Sequence, residues 1–140
     1  MNDSSLVIKK IGFWSEESWS LRPIDKDIIS KEADKITPEE EVLAYLKAGI
    51  PVAYLRTGSY SLATGQLFGP VTAFTDGQWA WTNILIYYYS IGWLDLPQAF
   101  KQHAYKANIS LLKLGLMSPE KKREIAAFVT NPKNETIALK

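Results

Sequence analysis

The spacing of apolar and polar residues changes several times along this 140-residue chain, and each change marks an element. Leu6 to Lys10 begins with Leu, Val and Ile, which suit a pleated, half-buried surface, so a short strand is predicted there. Gly12 to Lys35 keeps no period. Its charges and scattered Pro, Asp and Ser predict a loop with one helical turn near Asp27 to Ala33, pinned to the domain by Trp14 and Trp19. Thr37-Pro38-Glu39-Glu40 then reads as a capping box with proline in the first helical position: the threonine oxygen takes an orphan amide and Glu40 reaches back to the cap. Val42, Leu43, Leu46 and Ile50 follow on one helical stripe, and Gly49 supplies the stop.

Pro51 to Arg56 predicts a strand, and the Gly- and Ser-rich stretch Thr57 to Gly69 a loop or a poorly ordered edge strand. Val71 to Thr75 and Gln78 to Thr82 flank Asp76-Gly77, the sign of a hairpin whose two-residue turn places both positions at positive φ. Trp79 and Trp81 alternate, so both rings fall on one face of the second strand. Asn83 is read as the cap of a helix running to about Ile91. Its inward stripe is Leu85, Tyr88 and Ile91, which leaves Tyr87 outside. The run Ile84 to Tyr89 also has strong β character, and periodicity alone leaves that choice open. Leu96-Pro97 opens another helix, with Phe100, Ala104, Ala107 and Leu111 on one stripe and Gly115 as terminator. Ser118-Pro119 opens the last, which carries Ile125, Phe128 and Val129 and stops before Asn131-Pro132. These elements predict an α+β fold in a single domain over residues 1–132, with a flexible tail at 133–140. The expected architecture is a small antiparallel sheet of three to five strands with about four packed helices.

Asp76, Gly77, Trp79, Trp81, Leu85, Tyr88, Leu96, Pro97 and Phe100 form the pattern DGxWxW…LxxY…LxLPxxF. It resembles the TDGxWxWP…LxxY…VxLPxxF signature of a large group of small, mostly uncharacterised bacterial proteins. Tyr45, Leu46 and Gly49 resemble the YLxxG helix end that precedes that signature, so the likeness spans Glu41 to His103. Thr82 stands where the group usually has proline. The resemblance implies a helix at Asn83 to Ile91. Small proteins of this type are similar to immunity proteins encoded beside bacterial toxins.

With 46% hydrophobic and 22% charged residues the composition is ordinary for a globular chain. The chain has no cysteine, which removes disulfides, thiolate ligands and a thiol nucleophile. Its longest strongly apolar run, Ile84 to Tyr89, is far too short to span a bilayer. Lys9 and Lys10 follow the first apolar run rather than precede it, unlike a secretory leader, so a cytoplasmic location is expected. Net charge is +1, which argues against general nucleic-acid binding. The charge is segregated all the same. Glu16 to Glu41 carries nine acids against four bases, while Lys101 to Lys140 carries eight bases against three acids.

No catalytic, cofactor-binding or metal-ligating set emerges. His103, the sole histidine, has no second histidine or cysteine to work with and reads as a partly buried structural residue. Asp76 is accounted for by its turn, and Asp95 reads as a helix cap before Leu96-Pro97. Trp79, Trp81 and Trp93 read as core rather than as a stacking platform, and Lys121-Lys122-Arg123 as a solvated face. The expected function is therefore a non-catalytic binding protein, an immunity protein that neutralises a toxin. Glu16, Glu17, Asp25 and Asp27 would meet a basic partner such as a nuclease toxin, and Tyr87 would anchor the contact. The alternative is a small ligand-binding domain or enzyme with an aromatic pocket covered by the 57–69 loop, and a third reading is self-association through the aromatic face. No cofactor, nucleic acid or membrane enters any of these readings.

Overall fold

Trp79 and Trp81 decide how the sheet is covered. Both indoles project from one face of their strand into a large apolar cluster, while Ala80 between them projects into a smaller cluster on the opposite face. A strand covered on both sides has no solvated positions, and all four residues of Trp79–Thr82 are buried. The computed structural model in which this is seen describes residues 7–12, 36–57, 70–107, 109–113, 115–131 and 134. In chain order the elements are β1 (Lys9–Lys10), α1 (Glu40–Lys47), β2 (Ile50–Thr57), β3 (Pro70–Thr75) and β4 (Trp79–Thr82), then α2 (Asn83–Ser90), α3 (Gln98–Lys106), the short α4 (Ile109–Lys113) and α5 (Pro119–Thr130).

The strands lie in the order β1-β4-β3-β2. β2, β3 and β4 form the antiparallel meander expected from the hairpin signal, whereas β1 lies parallel to β4, pairing Lys9 with Trp79 and Lys10 with Ala80. The sheet is therefore mixed. With four helices of eight residues or more packed around it, the fold is α+β. The larger cluster joins Val42 and Leu46 of α1, Leu85 and Tyr88 of α2 and Phe100 of α3 to the two indoles. On the other face, Ile125 and Val129 of α5 meet Ala73 and Ala80, whose small side chains let the helix approach the sheet closely. Lys10 is buried beside that region and donates from Nζ to the Asn134 carbonyl at 2.7 Å, while the Asn134 amide donates to the Phe128 carbonyl at 2.8 Å. Burial pulls the Lys10 ammonium below the usual lysine range.

Several helix ends differ from expectation because tertiary contacts satisfy the orphan backbone groups first. No capping box forms at Thr37. The helix starts at Glu40, and the Glu39 side chain makes no capping bond. The Glu39 amide instead donates to the Tyr89 hydroxyl at 2.9 Å. Its carboxylate accepts from the Tyr105 hydroxyl and pairs with Lys101 at 3.6 Å. Thr82, not Asn83, caps α2: its hydroxyl accepts from the Leu85 amide at 3.3 Å and donates to the Gly12 carbonyl at 2.7 Å. Asn83 turns back to accept the Thr72 amide at 3.0 Å, tying the helix start to β3. Asp95 accepts the Leu96 amide at 2.8 Å and the Lys101 ammonium at 2.7 Å, while α3 begins at Gln98 with Pro97 as its cap residue. The single helix expected from Leu96 to Gly115 is broken at Ala107, whose backbone is extended (φ −76°, ψ 154°). The bend brings Ile109 and Leu112 onto the larger cluster.

Gly49 stops α1 for a reason other than left-handed geometry. A Cβ there would lie 2.7 Å from the Trp81 ring and 2.9 Å from Phe74 Cβ, so only glycine lets the chain pass between them. Trp14, Trp19, the turn at Asp27 to Ala33, the loop residues 58–69 and residues 135–140 lie outside the described residues. Among the described residues, no helix is long and apolar enough to cross a membrane.

Candidate functional site

Three elements distant in sequence bring Tyr45, Asp76 and His103 together. Tyr45 lies on the buried stripe of α1 beside Val42 and Leu46. His103 follows Phe100 by three residues and precedes Ala104 by one, so α3 turns it toward the same interior. Asp76 belongs to the link between β3 and β4. That link has three residues, Asp76, Gly77 and Gln78, rather than two, and of these Gly77 takes the left-handed φ of +97°. The aspartate shapes the link with its side chain: Oδ1 accepts the Gln78 amide at 2.9 Å and the Trp79 amide at 2.8 Å. Thr75 reinforces it, donating to the Trp79 carbonyl at 2.7 Å and accepting the Gly77 amide at 3.0 Å.

The second carboxylate oxygen is thereby left for the tertiary structure. Asp76 Oδ2 lies 2.6 Å from His103 Nε2 and accepts the Tyr45 hydroxyl proton. The Asp76 side chain is only 3% exposed, against 21% for His103. The His103 ring meets Tyr45 edge-on at 6.0 Å and leans on Trp79 at 6.2 Å, so its orientation is fixed by packing as well as by the carboxylate. Burial pushes the Tyr45 phenol well above its ordinary range, and the Asp76 hydrogen bond and charge push it the same way. Tyr45 therefore stays a donor.

This trio forms one wall of a pocket of about 490 Å³. Gln78 and Lys106 complete the polar side, and Ile50, Leu112, Leu116 and Met117 give the apolar side. Leu116 is 78% exposed at the edge of the pocket. The aromatic part of the described lining is Tyr45 and His103, while Trp79 and Trp81 are buried in the larger cluster. Among the described residues, no group of three or more His, Cys, Asp or Glu gathers to hold a metal ion.

Glu16, Glu17, Asp25 and Asp27, expected at a partner surface, lie outside the described residues. Tyr87 is half-buried, stacked edge-on against Tyr88 at 5.2 Å and packed on the larger cluster. Tyr87 is not among the residues that line the pocket. Sequence reasoning placed His103 in a partly buried setting but missed its partner. The available signal was its position on the Phe100 and Ala104 stripe, because a histidine turned inward needs a polar partner.

The Tyr45 shift sets a pH dependence. A phenol held above its unfolded value of 10.0 contributes stability that is complete below that value and is lost as pH rises toward the folded-state value. Denaturant unfolding above pH ~10.5 is expected to lose about 1.4 kcal/mol per pH unit through Tyr45. In Tyr45→Phe that share of the slope should vanish. An unchanged slope in the variant would show that the phenol ionises freely in the folded state.

Neither a protein family, nor a curated protein, nor a solved structure matches this chain.

Proposed function

We propose that this is a non-catalytic, cytoplasmic binding protein that receives its partner at the face formed by the hairpin link, the end of α3 and Leu116. The observation that carries this reading is the occupancy of Asp76. Both its oxygens are bonded inside the protein, to two turn amides, a tyrosine and a histidine. General-base catalysis needs a group free to accept a proton from substrate, and nucleophilic catalysis needs an activated hydroxyl, thiol or amine. Asp76 is taken up by internal bonds, the Tyr45 phenol is held protonated, and no Ser, Thr or Cys stands among the described lining residues. That leaves the His103 ring, Gln78 and Lys106 as the polar groups a partner can meet. What the pocket offers is an exposed leucine and two long polar side chains at an opening, the ingredients of recognition.

Within that class, an immunity protein that neutralises a bacterial toxin is the narrower proposal. It is supported by the DGxWxW…LxxY…LxLPxxF resemblance and by the separation of acidic and basic residues along the chain. A photoreactive phenylalanine analogue in place of Leu116 tests the broader reading, with the same analogue in place of the exposed Tyr54 as control. Irradiation in host lysate is expected to give one dominant adduct at position 116, with the captured species at its unmodified mass. Equal labelling at both positions, no adduct at 116, or a chemically altered species would each overturn it. Protection on co-expression with a toxin from the neighbouring gene tests the narrower one, and its absence would overturn that proposal alone.

A further inference from the structure

The geometry points to a ligand class for this pocket: a monocarboxylate with an apolar body, its head at Lys106 and its tail along Leu112, Leu116 and Met117. The inference rests on the reading of the pocket as a recognition site. It begins with the polar groups left over once the internal bonds are counted. Asp76 is almost fully enclosed and its oxygens are occupied, so a cationic ligand finds no free acceptor there. Lys106 is the last residue of α3, exposed, and forms no ion pair among the described residues. Gln78 is exposed on the hairpin link and lines the pocket.

One free ammonium and one amide suit a single negative charge. A phosphate dianion calls for more donors, of the kind an arginine fork or a helix N-terminus supplies, and neither is among the described residues that line this pocket. A neutral ligand would leave Lys106, which forms no ion pair among the described residues, unanswered at the opening. The opposite wall fixes the rest of the molecule. Leu112 is 8% exposed and anchored in the larger cluster, and Met117 is half-buried with a flexible thioether that fits varied shapes. Leu116 stands 78% in solvent at the edge, where covering it removes apolar surface from water. A chain that lies over these three residues with its carboxylate at Lys106 matches both the charge and the apolar wall of the described lining.

Hexanoate is the probe and hexanamide its uncharged counterpart, each titrated in the millimolar range into the ¹⁵N-labelled full chain while amide resonances are followed. Hexanoate is expected to shift Gln78, His103 to Ala107 and Leu116 to Met117, and hexanamide to bind about fivefold more weakly, as an exposed ion pair implies. Lys106→Met should remove the preference for the acid over the amide. Leu116→Ser should weaken both probes by about tenfold, while Tyr54→Ser leaves them unchanged. Both pocket side chains are solvent-facing, so the variants should fold, which their spectra report directly. Equal affinity for acid and amide, shifts centred elsewhere, or no shift at all would overturn the inference. Should hexanoate fail while the analogue at position 116 still captures a partner, the carboxylate assignment falls and the binding face stands. Failure of both removes the face as well.

Discussion

Trp81→Ala is expected to lower the free energy of unfolding by about 3–5 kcal/mol, the range for emptying a large aromatic site in a packed core. Trp81 is fully buried at the centre of the larger cluster, with Phe100 edge-on at 5.5 Å and Tyr45 tilted against it at 6.0 Å. Its neighbours come from different elements, α1 on one side and α3 on the other, so no single side chain can swing in to fill the void. The indole has a second role. Its N–H donates to the Leu46 carbonyl at 2.9 Å, close to where Gly49 passes against the ring. Trp81→Phe separates the two contributions: most of the ring is retained and the donor is lost. The Leu46 carbonyl keeps the Gly49 amide at 3.2 Å, so this variant should cost about 1–2 kcal/mol. The measurement is the urea midpoint at constant slope, with the exposed Tyr54→Ser expected within about 0.5 kcal/mol of wild type. A Trp81→Ala cost no larger than that control would mean the cluster does not close around the indole.

The elements that could be read from sequence are those set by spacing within one segment. The Val42 and Leu46 stripe, the alternation of Trp79 and Trp81, and the Ser118-Pro119 start of α5 each depend on residues within a few positions of one another. Ser118 does cap α5, accepting the Lys121 amide at 3.1 Å. What could not be read was decided between segments. The parallel pairing of Lys9 with Trp79 joins positions far apart in the chain, and nothing in a two-residue strand announces its partner. Thr37 and Asn83 have the chemistry of caps, yet the Tyr89 hydroxyl and the Thr82 side chain take those amides, because packing had already placed them within reach. The candidate site follows the same rule. Asp76 forms the turn that its place before Gly77 predicts, but a carboxylate has two oxygens, and the turn uses only one of them.

That second oxygen underlies the other large expected effect. Asp76→Ala should destabilise the protein by about 3–5 kcal/mol, because it strands polar groups on three elements at once. The Gln78 and Trp79 amides lose the acceptor that shapes the link between β3 and β4, and His103 Nε2 and the Tyr45 hydroxyl lose theirs at the part-buried pocket wall. Asp76→Asn retains an oxygen for the two amides while its NH₂ group faces Tyr45 and His103, so about half of the loss should remain. Hydrogen exchange distinguishes the two variants: alanine should expose the Gln78 and Trp79 amides, and asparagine should leave them protected. Since His103 acts through the same oxygen, Asp76→Ala and His103→Ala combined should cost less than the sum of the two by about 0.5–3 kcal/mol. Strict additivity, or a loss under about 1 kcal/mol for Asp76→Ala, would mean that the carboxylate does not join α1 to α3 in solution. The pocket would then lose the rigid wall on which its recognition chemistry depends.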